Sequence, residues 1–368
     1  MVGDPEALRG RTVLITGHSG FIGSWLCSLL VACGADVVGY SLSEDPASAT
    51  RAQWLTLLGV TDVRGDVRDL ASVVAAARVF EPDVVVHLAA QPLLGRGFTE
   101  PHLTFDVNLN GSLSVLETVR LGAVRALVHV TSDKCYAPAG AGAPPLTEGS
   151  RLGGAGPYPA SKWMAEALFN EFRALVPADS SIASVRLGNV IGGGDEADRL
   201  VPNALRAFRS GTAFRLRDPA AERPFQHVLD VVWGLATLAS RLLFRQIDSG
   251  RALNFAPPSM ASSAGELVAE LAREWGPGAL VSDGRDEVDF PEEPVLRLDG
   301  GRAARSLRWE HRLDLTNAAS WTVAWARMTD SEVPPSDATA CQVVDFLAAS
   351  TRAGSREHDG DSVGAGER

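Results

Sequence analysis

Thr12-Val13-Leu14-Ile15-Thr16-Gly17-His18-Ser19-Gly20-Phe21-Ile22-Gly23 is the stretch on which the fold turns. Its first five residues are mostly β-branched and carry no charge, the pattern of a strand buried on both faces. The glycines that follow permit a tight turn, after which Phe21, Trp25, Leu29 and Ala32 recur at helical spacing until Gly34 stops the helix. Strand, glycine turn and helix N-terminus together bring backbone N–H groups to a point where no Cβ holds an anion away. The turn therefore suits a pyrophosphate, with Gly17, Ser19, Gly20, Phe21, Ile22 and Gly23 as the residues that meet it. The glycines are spaced three and three, where the common dinucleotide fingerprint has two and three.

Apolar runs of the same kind recur at Asp36 to Tyr40, Asp83 to Leu88, Ala126 to Thr131 and Ile182 to Arg186, with helical patterns between them, Leu103 to Leu121 the longest. That rhythm predicts an α/β protein with a Rossmann-type doubly wound parallel sheet. Past residue 190 the strands shorten and glycines and prolines multiply, which predicts a smaller C-terminal substrate-binding lobe. The expected division is a dinucleotide-binding domain over 9–190, a lobe over 191–350 with some segments returning to the first domain, and a disordered tail over 351–368, where the sequence is polar and rich in Gly and Ser.

Composition narrows the function. A formal charge of −11 over 368 residues disfavours a nucleic-acid partner or a polybasic membrane anchor and favours a small-molecule partner. Cys27, Cys33, Cys135 and Cys341 show neither disulfide-framework nor metal-type spacing, so reduced thiols and no metal site are expected. With no secretory pattern and no apolar run of membrane-spanning length, the expected location is cytoplasmic.

The second strand ends Gly39-Tyr40-Ser41, without the acid that often binds a ribose in such folds, and Asp45 lies beyond that position. Arg51 is a possible partner for a 2′-phosphate, so NAD is expected with NADP left open. Asp66 and Val67 after the third strand are placed for the adenine edge, although Asp66 equally reads as a loop-capping acid. Leu88, Ala89 and Ala90 offer small side chains over which a cofactor can lie.

Only two of the 34 basic residues are lysine, Lys134 and Lys162, and each sits in a short chemical motif. Tyr158 and Lys162 are four apart, hence on one helix face, where an ammonium is expected to lower the phenol's pKa from about 10 toward neutrality and make it a base for a sugar hydroxyl. Ser132-Asp133-Lys134 follows the fifth strand, at the sheet edge where open α/β folds place ligands. Three polar residues there can also simply end a strand. His18 and His227 read more readily as packing residues than as catalysts.

TGHSGFIG, HLAAQ, SDKCY, YPASK, GNVIGGGDEADRLVPNALRAF and ERPFQHV, in that order, resemble the extended short-chain dehydrogenase/reductase superfamily of NAD-dependent epimerases and dehydratases, most closely its CDP-glucose 4,6-dehydratase branch. The resemblance runs from about residue 10 to the LNFAP segment and, more weakly, beyond it. It implies a nucleotide-activated hexose as substrate and Ser132, Asp133, Lys134, Tyr158 and Lys162 as catalytic residues. Gln91, Asn189, Arg199, Arg223 and His227 are implied at the sugar nucleotide, along with a homodimer through the Tyr158–Lys162 helix. In relatives that act on dTDP-glucose a glutamate stands at the position of Lys134 and takes the C5 proton. A lysine does this only when neutral, or else it stays charged and stabilises the enolate. Ile22, Glu196 and Phe225 depart from the branch pattern, which carries lysine, an aromatic and tryptophan at those places. The alternatives are a nucleotide-sugar epimerase or decarboxylase and, from another class, a cofactor-binding regulator without catalysis.

Overall fold

The computed structural model describes residues 5–42, 46–140, 142–284 and 293–358, which leaves Asp45 outside the described residues. Along the chain run β1 (Thr12–Thr16), α1 (Phe21–Ala32), β2 (Asp36–Ser41), α2 (Pro46–Leu57), β3 (Thr61–Arg64), α3 (Leu70–Phe80) and β4 (Val84–His87). Next come α4 (Leu94–Thr99), α5 (Pro101–Phe105), a π turn over Asp106–Asn110 and α6 (Gly111–Arg120). The single helix expected from Leu103 to Leu121 is thus α5 and α6 joined through that turn. After β5 (Ala126–Ser132), α7 (Pro157–Phe172) and β6 (Ser181–Leu187) come β7 (Val190–Ile191), α8 (Leu200–Ser210), β8 (Phe214–Leu216), β9 (Glu222–Arg223), β10 (Gln226–His227), α9 (Val228–Leu243) and β11 (Arg251–Phe255). The described chain closes with α10 (Ala264–Trp275), α11 (Gly301–Leu307), α12 (Leu315–Asp330) and α13 (Pro335–His358).

Seven strands form the central sheet in the order β11-β6-β5-β4-β1-β2-β3, every pair parallel. Order reverses between β1 and β4, the switch point at which such sheets open a crevice. Both faces are apolar because strand side chains alternate. Val13, Ile15, Val84, Val86, Ala126 and Val128 pack into one core with α1 and α9. Leu14, Val85, Leu127 and Ile182 pack into a second core with α3, α6 and α7. Burying Val, Leu and Ile on both sides contributes roughly 1.5–3 kcal/mol per side chain, which explains why these strands read as unbroken apolar runs.

Past residue 190, β11 pairs with β6 and α9 packs on the first core. α13 runs to His358, into the stretch expected as a tail, and residues 359–368 of that stretch lie outside the described residues. Among the described residues no helix is long and apolar enough to cross a membrane.

Candidate active site

At the carboxyl end of β1 the glycine turn is pressed against the exit of β4. Gly17 has φ +75°, and a Cβ on it would stand 2.7 Å from the backbone nitrogen of Ala89, so the backbone of Leu88 and Ala89 lies against the turn. Gly20 is the N-cap of α1. It makes no side-chain capping bond, and no acidic residue occupies the first turn. The positive end of a twelve-residue helix is therefore left open toward the crevice, which fits a pyrophosphate. Ser19 Oγ sits 2.8 Å from Ser41 Oγ and 2.6 Å from Ser48 Oγ, binding the glycine turn to β2 and α2.

At the carboxyl end of β5, Ser132 Oγ donates to Asp133 Oδ1 at 2.9 Å and accepts from the backbone N–H of Lys134 at 3.2 Å. Asp133 is 3% exposed, and its Oδ2 has no partner among the described residues. Burial pushes its carboxyl above the ordinary range, against the pull of Lys134, Ser132 and Arg223. The start of α7 lies directly on this turn, for a Cβ at Gly154 would stand 2.2 Å from the carbonyl oxygen of Lys134. Pro157 opens the helix where its missing N–H costs nothing. Tyr158 and Lys162 follow on its buried side, with Lys162 Nζ 6.0 Å from the Tyr158 ring centroid.

Here one expectation is corrected. Burial drives the Tyr158 hydroxyl up to about 12, and the opposing influences are a hydrogen bond with Ser132 and the charge of Arg199. The interior also pulls the Lys162 ammonium down to about 8. A dry site thus penalises both charges that the four-residue spacing was expected to favour.

A buried acid beside a serine, with a tyrosine–lysine pair on the adjoining helix, and an uncapped glycine turn lie at the carboxyl edge of one sheet. Over residues 13–254 the chain matches the NAD dependent epimerase/dehydratase family. It belongs to that family. The CDP-glucose 4,6-dehydratase of Salmonella typhimurium is 34% identical over 95% of this chain and 99% of its own. A UDP-glucose 4-epimerase of Mycolicibacterium smegmatis is 30% identical over 85% of this chain and 98% of its own. In fold, the chain resembles DesIV, a dTDP-glucose 4,6-dehydratase from Streptomyces venezuelae solved with NAD bound. Their TM-score is 0.75 at 22% identity, over 88% of this chain and 99% of that one.

Within this family the dinucleotide is NAD, and the open glycine turn fits it. The alternative that rested on Arg51 is met by the structure. Its guanidinium donates to the carbonyls of Ser19 at 2.7 Å and Gly194 at 3.4 Å and lies 3.6 Å from Glu196, so it ties the glycine turn to the Gly192–Gly194 stretch. Asp66 is ion-paired with Arg68, and that pairing holds its carboxyl below the ordinary range. Val67 is buried against Gly111.

Two of the residues expected at the substrate are hydrogen-bonded within the protein. The Gln91 amide accepts from Leu93 N at 2.7 Å and donates to Leu93 O at 3.1 Å and Thr104 Oγ1 at 2.8 Å, so it folds the loop after β4 inward. His227 caps α9, accepting from Leu229 N at 3.2 Å between the edges of Trp25 and Trp321. Burial keeps it neutral by drawing its pKa to about 3. His18 is likewise a packing residue, hydrogen-bonded to Ser41 at 3.0 Å and 3.1 Å from Asp62. Arg199 precedes α8, 3.7 Å from Asp195 and near enough to Tyr158 to act on it. Arg223 is buried, donates to the carbonyls of Glu222 and Pro294, and acts electrostatically on Asp133. Asn189 lies between β6 and β7, and its carbonyl accepts from Gln226 N at 2.9 Å.

Sequence reasoning missed a buried polar group one turn beyond Lys162. Glu166 is fully buried and accepts from Thr131 Oγ1 at 2.6 Å and from Arg186 Nε at 2.9 Å and Nη2 at 2.6 Å. Arg186 also reaches the Tyr136 hydroxyl at 2.8 Å, which donates to Asn254 Oδ1 at 2.6 Å. An arginine inside the apolar run SIASVRL was the available signal, since a charge in a doubly buried strand requires a partner.

Proposed function

We propose that this chain is a nucleotide-sugar 4,6-dehydratase that converts CDP-D-glucose to the CDP-4-keto-6-deoxy sugar with loss of water. The carrying observation is Asp133, a buried carboxyl with a raised pKa and an unpartnered oxygen, next to the serine that bonds Tyr158. A carboxyl in that state is protonated more readily than a free one and can donate its proton to a leaving hydroxyl. The relation to the Salmonella enzyme over nearly the whole chain supports the same reading.

Gly17, Ser19 to Gly23, Ser41, Asp66, Val67 and Leu88 to Ala90 would hold NAD, which when bound would supply the two-electron acceptor and donor for C4 oxidation and C6 reduction. Tyr158 takes the C4 hydroxyl proton, Ser132 bonds the same oxygen, and Lys162 secures the cofactor's ribose. The 4-ketone so formed makes the C5 proton acidic. Lys134, beside Asp133, serves that proton's departure as base or as the charge opposite the enolate. Asp133 protonates the C6 hydroxyl as it leaves as water. Asn189 and Arg199 border the sugar nucleotide, and Arg223 stands at its pyrophosphate. A homodimer through α7 is part of the reading, Trp163, Met164 and Leu168 being its partly buried apolar residues.

The test is mass spectrometry of the product from CDP-glucose in heavy water. Loss of one water with solvent deuterium at C5 is expected. The second reading, a 4-epimerase, is favoured by the Mycolicibacterium relative, and a product that keeps its C6 oxygen with C4 inverted would establish it instead.

A further inference from the structure

Lys162 lies in an interior that opposes its charge, and its neighbours differ in what they can do about that. It is 6% exposed, and no carboxylate among the described residues comes within salt-bridge distance of it. The stacked pair His87 and His129, on β4 and β5, feel its charge, but burial draws both well toward the neutral form, His129 to about 4. On its own helix the Tyr158 phenol is driven up to about 12. From the turn after β5 it faces Cys135, whose thiol burial pushes well above 9. The groups that raise Lys162 are Cys135 and Glu166, and a thiol this suppressed carries no charge at neutral pH.

That leaves Glu166, four residues on and hence on the same face of α7. Its carboxylate is secured from two strands, by Thr131 on β5 and by Ser184 and Arg186 on β6. Arg186 also donates to the Tyr136 hydroxyl at 2.8 Å. Glu166 is thus a fixed carboxylate whose charge acts on Lys162, and Thr131, one of its donors, is the residue before Ser132 on β5.

We propose that Glu166, clasped by Arg186, is a positioning residue of the active site: it keeps the buried Lys162 ammonium charged and sets the turn of α7 that carries Lys162 and Tyr158 against Ser132. This rests on the reading of Tyr158 and Lys162 as the catalytic pair. A carboxylate about one helical turn away in a protein interior is worth about one pH unit to an ammonium.

Because the chain has two lysines, ε-¹³C-lysine labelling yields two resonances, and Lys134→Arg removes one and assigns the other. In Glu166→Gln the Lys162 titration midpoint should fall by about one pH unit relative to the parent. Glu166→Gln/Arg186→Met, which also withdraws the guanidinium left without its partner, should show the same direction and serves if the single variant does not fold. An unchanged midpoint in whichever variant folds overturns the proposal and leaves the pair as scaffold. The measurement needs no substrate. A midpoint that falls in a protein inert toward CDP-glucose supports the role of Glu166 and counts against the proposed reaction alone. A fixed midpoint in an active dehydratase does the reverse.

Discussion

Asp133, at the carboxyl end of β5, and Asp230, in the first turn of α9, are both buried acids whose carboxyls burial pushes upward, Asp230 to about 7. They differ in their hydrogen bonds. Asp230 accepts from Arg312 N at 2.8 Å on one oxygen and from Leu313 N at 3.2 Å on the other, so it fastens the segment after α11 to α9. Asp133 uses one oxygen on Ser132, and the other meets nothing among the described residues. A shifted pKa accompanies both, while the unpartnered atom distinguishes Asp133, the acid proposed to meet the substrate. Leaving such an atom unpaired costs about 1–3 kcal/mol.

The comparison breaks first at Asp133. Asp133→Asn should lower the rate of water loss from CDP-glucose by about 10³, the scale of a lost general acid. Its melting temperature should hold or rise, and a collapse in stability would make Asp133 a second Asp230. Lys134→Met is expected to slow elimination by about 10² while C4 oxidation, followed by reduced-cofactor absorbance, persists. Full turnover at the parent rate would remove Lys134 from the reaction.

Asp230 sharpens the contrast from the other side. Its folded pKa of about 7 lies above the ordinary 3.8, so the native state prefers the protonated form and stability falls as pH rises through that window. Urea unfolding should show a loss on the order of 3 kcal/mol between pH 4 and 7 that Asp230→Asn abolishes, with activity within about twofold of the parent. His227, at the cap of the same helix, carries the opposite sign. Its pKa is depressed to about 3 from 6.5, so its contribution is present above 6.5 and is lost as pH falls. His227→Asn keeps an oxygen for the Leu229 N–H and should relieve about 1 kcal/mol of acid destabilisation between pH 6.5 and 5.5. Equal pH slopes in the two variants would mean that the first turn of α9 is not where stability is titrated.

Much of the site could be read from the chain because its motifs are local. The glycine turn, Ser132 to Lys134 and the Tyr158–Lys162 spacing each lie within eight residues and on one element or its edge, and the five apolar runs fall on β1, β2, β4, β5 and β6. What escaped is non-local. Arg186 and Glu166 are 20 residues apart and belong to different elements, β11 joins the sheet beside β6, and the Gln91 amide bonds Leu93 and Thr104.

The order of residues alone determined a doubly wound sheet, a dinucleotide turn and the identity of the groups gathered at its edge, because periodicity and glycine placement act over a few residues. Whether those groups carry charge was decided only by the packed molecule. Burial raised Tyr158 and Asp133 and lowered Lys162, and it gave Glu166 a place beside Lys162 that no spacing announced. Desolvation depends on everything that surrounds a side chain, and that surrounding exists only once distant segments have met.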